Sequence, residues 1–183
     1  MGDARRRRTV RERGFTLVEL LAVVAMVGIL AALALVGYRR YINSAGTAEA
    51  AAVIQGIRGA EEAYKAEMLV YLSCSTTLDS YYPMTTPNSQ KHHWVQSGHQ
   101  DYDRWRQLNV TTDGPVKFGY AVVAGMPPTM ASPVGFANAP AWPAVTEPWY
   151  MVQAKGDRDE DGTPAMFLAS SLRGEIYSEN DTE

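Results

Sequence analysis

Residues 15–36 form an unbroken run of 22 residues in which Thr16 and Glu19 alone are polar. As a helix rising about 1.5 Å per residue, such a run covers the roughly 30 Å hydrocarbon core of a bilayer. Six arginines precede it (Arg5, Arg6, Arg7, Arg8, Arg11 and Arg13) against Asp3 and Glu12, so residues 1–14 carry +4. The positive-inside tendency keeps this basic segment in the cytoplasm and sends the chain from Gly37 onward across the membrane. Arg39 and Arg40 oppose that orientation but are outnumbered. Without residues 1–14 the chain has 11 basic and 18 acidic side chains, a net charge of −7 that disfavours nucleic acid as a partner.

Glu19 is the one charge within the apolar run. A carboxylate inside a membrane helix costs roughly 2.5–3.5 kcal/mol, so it normally has a partner and a function. It sits near the helix end, where it can also snorkel to the headgroups. Residues 20–36 contain no Lys, Arg or His, so a cationic partner has to come from a new amino terminus or from another chain. Cleavage before Phe15 would create that amine.

The string Gly14-Phe15-Thr16-Leu17-Val18-Glu19-Leu20, with its basic leader and Ala/Val/Leu-rich continuation, closely resembles the prepilin signature of type IV pilins and type II secretion pseudopilins. The resemblance implies cleavage between Gly14 and Phe15 by a prepilin peptidase, N-methylation of Phe15, and retention of the apolar helix. It extends to Tyr38-Arg39-Arg40-Tyr41, a Tyr-x-x-Tyr often found in pilins. Many pilins have a proline near the end of the apolar run; this chain has Val36 and Gly37 there. Ordinary signal-peptide cleavage near Ala32-Leu33-Ala34 is the rival, disfavoured by the internal Glu and by the length of the run.

Ala50, Ile54, Ile57, Ala60, Tyr64, Met68 and Tyr71 recur at three- and four-residue spacing, with Glu49, Arg58, Glu61, Glu62 and Lys65 largely off that stripe. Glu61 and Lys65 are placed for an i,i+4 pair. No proline precedes Pro83, so the spacing predicts one helix of about 58 residues and about 87 Å over residues 15–72. Residues 73–115 read as a connector with a short helix at 101–108. Strands are expected at 116–125, where Phe118, Tyr120 and Val122 share a face, then at 149–154, 165–170 and 175–178. Five prolines within residues 126–145 (Pro127, Pro128, Pro133, Pro140 and Pro143) predict a long exposed loop. The expected fold class is α+β, an antiparallel sheet packed on one long helix, the arrangement the resemblance names the pilin fold. The expected organisation is a removed leader at 1–14, a membrane and filament-core helix at 15–36, an amphipathic continuation at 37–72, and a globular region at 73–183.

Asp157, Asp159 and Asp161, followed by Gly162, match the opening of an EF-hand-type calcium loop. The twelfth position, where that loop has a bidentate Glu, is Leu168, so a calcium site and a solvated acidic turn both stay open. His92, His93, His99 and Cys74 fit no zinc spacing. The single cysteine forms no internal disulfide, and no nucleophile elbow, phosphate loop or H-E-x-x-H motif occurs. A non-enzymatic subunit is therefore expected.

The resemblance implies a type IV pilus subunit, major or minor, with Glu19 pairing the methylated amine of Phe15 on a neighbouring copy. It further implies partners: itself and other pilins, the prepilin peptidase, an inner-membrane assembly platform and motor ATPases. On this reading the chain is a single-pass protein of the bacterial inner membrane with a cytoplasmic amino terminus, then part of an extracellular filament or periplasmic pseudopilus. The alternatives are a type II secretion pseudopilin and an exported, membrane-tethered binding protein or hydrolase.

Overall fold

The computed structural model describes residues 14–158 and 160–181. Residues 1–13 of the expected leader, and Asp159, lie outside the described residues. The chain divides into two compact units, Met1–Arg39 and Arg40–Glu183. Helix α1 spans Leu17–Met68 and ends four residues before the expected point. It stops because Leu69 turns to a left-handed φ of 63°, while its N–H still bonds the Lys65 carbonyl at 2.8 Å. Met68, expected on the buried stripe, is consequently exposed.

In the Arg40–Glu183 unit, α1 buries Ala50, Ile54 and Ile57 completely and Ala60 and Tyr64 in part, and Tyr71, just beyond its end, packs against the same cluster. The short helix α2 spans Tyr102–Leu108. Strands β1 (Gly119–Gly125), β2 (Trp149–Gly156), β3 (Ala165–Ser170) and β4 (Arg173–Glu179) form an antiparallel meander in the order β1-β2-β3-β4. The alternation read at Phe118, Tyr120 and Val122 is the face that meets α1, joined by Tyr150, Val152 and Ala154 and by Ala165, Phe167 and Ala169. Arg58 ties the helix to the β3–β4 turn by donating to the carbonyls of Ser170, Arg173 and Gly174.

The proline-rich segment between β1 and β2 is, as expected, a long loop without strand or helix and exposed along most of its length, but its apolar side chains have a partner. It lies over the second face of the sheet, where Met130, Phe136, Trp142 and Val145 pack around Trp149, Met151 and Leu168. Prolines exclude it from the ladder, yet a face carrying Trp149, Met151 and Leu168 needs a cover. Gln153 on β2 fastens that cover: its side-chain amide donates to the Val134 carbonyl at 2.8 Å and accepts the Val134 N–H at 3.0 Å. The same amide donates to the Tyr81 hydroxyl at 2.7 Å. The Glu179 carboxylate accepts the N–H groups of Ala137 and Asn138, and Trp149 Nε1 donates to Thr129 O. β2 and β3 are accordingly buried on both faces.

Glu61, expected largely off the apolar stripe, also departs from its expected place. It is fully buried, because it continues the Ala50, Ile54, Ile57 series at the next four-residue step. Its Oε2 accepts the Leu72 N–H at 3.0 Å and so seals the chain reversal after the helix. The expected pair with Lys65 does not form; Lys65 Nζ donates to the Tyr71 hydroxyl, which donates to Glu62. With Oε1 unpartnered, burial outweighs the one backbone bond and pushes the Glu61 carboxyl from 4.5 up to about 8.

The folded state therefore keeps a proton on Glu61 that the unfolded chain releases near 4.5. Stability falls as pH rises between about 4.5 and about 8, by up to roughly 1.4 kcal/mol per pH unit from this group. Urea unfolding at a series of pH values should show this decline, and Glu61→Gln should flatten it. Gln153→Leu removes both bonds to Val134 and the bond to the Tyr81 hydroxyl, so it should cost about 2–4 kcal/mol in the same measurement.

Candidate functional site

In the Met1–Arg39 unit, Gly14, Phe15 and Thr16 have no regular structure and α1 starts at Leu17. Phe15 is 83% exposed, and a side chain placed at Gly14 would meet nothing within 4 Å. The Gly14–Phe15 bond thus lies in open, non-helical backbone, the kind of segment a peptidase can accept. Helix formation begins immediately afterwards because Thr16 caps it. The Thr16 hydroxyl accepts the Glu19 N–H at 3.2 Å, while Glu19 Oε2 accepts the Thr16 N–H at 2.9 Å and the Thr16 hydroxyl at 2.8 Å. This is a reciprocal capping box, which satisfies two of the donors a helix start leaves open.

Glu19 therefore has a partner within its own chain, which its isolation in the apolar run did not suggest. Thr16 was the overlooked residue, although the T-x-x-E spacing that signals a capping box is plain in the sequence. These hydrogen bonds occupy Oε2 and supply no positive charge. They orient the carboxylate but leave its charge uncompensated.

Among the described residues, Leu17–Tyr38 is a helix long and apolar enough to cross a membrane, and none of its most apolar window is buried. A core helix would be mostly buried; this one shows its large side chains on every face, from Leu17 at 81% exposed to Val36 at 54%.

The acidic turn after β2 uses its carboxylates locally. Asp157 Oδ2 accepts the Gly162 N–H at 3.2 Å and Asp161 Oδ1 accepts the Thr163 N–H at 2.6 Å. Asp157 Oδ1 is buried without a hydrogen-bond partner among the described residues. No group of three or more His, Cys, Asp or Glu converges among the described residues. His92 and His99 bond to Asn88 and to the Tyr81 carbonyl, and Cys74 donates to the Arg104 carbonyl.

Residues 10–35 match the model of the prokaryotic N-terminal methylation motif. The chain carries a methylation motif of this class. It is 47% identical over 47 residues to a fimbrial protein of Moraxella nonliquefaciens, covering 26% of this chain and 30% of that protein. It is 40% identical over 60 residues to the fimbrial protein EcpC of Eikenella corrodens, 33% of this chain and 39% of that one. With the type IV major pilin protein PilE1 of Neisseria gonorrhoeae it shares 45% identity over 53 residues, 29% and 32% of the two chains. The matched segments span only about a third of these relatives' own length. No solved structure matches the chain. The motif-bearing segment is similar to that of type IV pilins and fimbrial proteins, and the helix with its antiparallel sheet is a pilin-like α+β arrangement.

Thr16→Ala removes the cap and should weaken the first turn by about 1 kcal/mol, a roughly fivefold faster exchange of the Glu19 amide. Hydrogen exchange of the chain in detergent micelles measures this; an unchanged rate would show that the capping box does not hold the helix start.

Proposed function

We propose that this chain is a type IV pilus subunit, major or minor. Its role is structural rather than enzymatic. It is anchored in the bacterial inner membrane through the apolar helix with its amino terminus in the cytoplasm, and it polymerises with itself and other pilins. A prepilin peptidase removes residues 1–14, Phe15 is N-methylated, and an inner-membrane platform assembles the filament. The observation that carries this reading is the coincidence, within residues 10–35, of the methylation motif with an exposed apolar helix headed by a single carboxylate.

The capping box adds a mechanism. Cleavage between Gly14 and Phe15 leaves the Phe15–Thr16 peptide intact, so the Thr16 N–H still holds Glu19 Oε2. The carboxylate is then already oriented when the amine of a neighbouring Phe15 approaches, and it loses less freedom on pairing. In an apolar surrounding an unpaired charge is costly, so the copy that supplies the amine also sets the stagger.

The mature polypeptide should begin with N-methylated Phe15 by mass spectrometry, and any other start overturns the reading. Glu19→Gln keeps an acceptor for Thr16 but removes the charge. It should lower filament yield at least about tenfold at unchanged membrane levels; normal filaments would rule out charge pairing.

The second reading is a type II secretion pseudopilin, some of which hold calcium in their carboxy-terminal region; what favours it is Asp157 Oδ1 in the acidic turn, buried without a hydrogen-bond partner among the described residues. On that reading Asp157, Asp159 and Asp161 hold calcium. Added calcium should then raise Tm, and Asp157→Asn should abolish the rise; an unchanged Tm assigns the segment to a solvated turn.

A further inference from the structure

The connector between α1 and β1 builds an aromatic pocket that the filament reading does not use. Tyr82 organises it. Its backbone pairs with Tyr120 on β1 through bonds of 2.8 and 2.7 Å, which fixes the connector to the sheet. Its hydroxyl donates to the Trp94 carbonyl and accepts the Gln96 N–H at 3.2 Å, which fixes the 94–96 stretch of the connector. Its ring stacks on Trp105 of α2 at 5.3 Å and 18°, and Trp94 meets Trp105 edge-on at 5.3 Å and 85°. The two indoles therefore form a rigid corner, and beside it is a cavity of about 270 Å³.

Trp94, Tyr102 and Trp105 form the wall of this cavity, and Arg106, Asn109 and Thr111 bring polar groups to its rim. Asn109 is held there by its left-handed backbone, φ 58°, at the end of α2. The Trp105 indole N–H is buried and has no acceptor among the described residues. A mostly apolar cavity with a few convergent polar groups is the usual form of a small-ligand site. The volume admits one ring rather than a chain of them.

The lining also selects among rings. Aromatic faces alone would suit a quaternary ammonium group, but Arg106 stands on the rim, no acidic residue lines the cavity, and Arg106 has no ion pair among the described residues. A cation is therefore repelled and a carboxylate attracted, with the guanidinium able to hold it bidentately. The hydroxyl of Thr111 and the amide of Asn109, both on lining residues, call for several oxygens on one small ring. We propose that this pocket binds an acidic pyranose sugar, a hexuronate, with its ring face on the Trp94 and Tyr102 aromatics and its carboxylate on Arg106.

Saturation-transfer NMR on the full chain, in micelles of a detergent without a sugar headgroup, tests this with sodium glucuronate, glucose and choline. Glucuronate should bind saturably in the millimolar range, with glucose at least about tenfold weaker for want of the carboxylate. Arg106→Ala should reduce glucuronate to the level of glucose, and Tyr102→Ala should abolish binding of both. Absence of saturable glucuronate binding up to about 50 mM overturns the proposal, 50 mM being well above a millimolar Kd. So does choline binding more tightly than glucuronate, or binding that both variants leave intact. Folding of each variant is checked by its near-ultraviolet circular dichroism. No assembled filament is needed, so the measurement succeeds or fails independently of the pilus reading.

Discussion

Between Leu17 and Val36 thirteen large apolar side chains are each at least 53% exposed on one helix. Removing each from water is worth about 1.5–3 kcal/mol, and the total exceeds the roughly 5–15 kcal/mol by which a domain is stable. A helix of this kind requires an apolar environment, either lipid or the same segment of other copies. The single carboxylate at its head becomes informative for that reason. In water Glu19 would be an ordinary capping residue, whereas in an apolar medium its charge demands a counterpart that Thr16 does not supply.

The Arg40–Glu183 unit answers a different constraint. A four-stranded meander presents apolar side chains on both faces, and one helix covers one of them. The proline-rich segment covers the other without becoming a strand or a helix. It substitutes side-chain anchors for ladder bonds: Gln153 on Val134, Glu179 on Ala137 and Asn138, and the Trp149 indole on Thr129. Such a layer depends on a few long-range hydrogen bonds, two of them from the buried side chains of Gln153 and Trp149.

Glu61 and Glu19 show how context divides one chemistry into two roles. Both are helix carboxylates that accept a backbone N–H. Glu61 sits in the core under a chain reversal and is favoured in its protonated form, so it acts as a neutral seal. Glu19 sits exposed at a helix start, where it closes the capping box with Thr16.

The membrane-length run, the lone Glu19, the Gly14-Phe15 junction, the α1 stripe and the alternation along β1 were all legible in the chain itself. Each is a relation between near neighbours, set by a helical or extended period and by covalent order. The capping box was equally local and could have been read from Thr16 and Glu19. Other features had no local signature. Gly156, which opens the acidic turn in the sequence, lies in the fold under the Phe118 ring, where an added Cβ would come within 2.6 Å of it. The inward turn of Glu61, the exchange of its Lys65 partner for Tyr71, the cover over the sheet and the indole corner beside α2 likewise join residues distant in sequence. Only the tertiary structure decides such meetings, because burial and hydrogen bonding depend on which surfaces the folded chain brings together, and a local pattern is compatible with many of them.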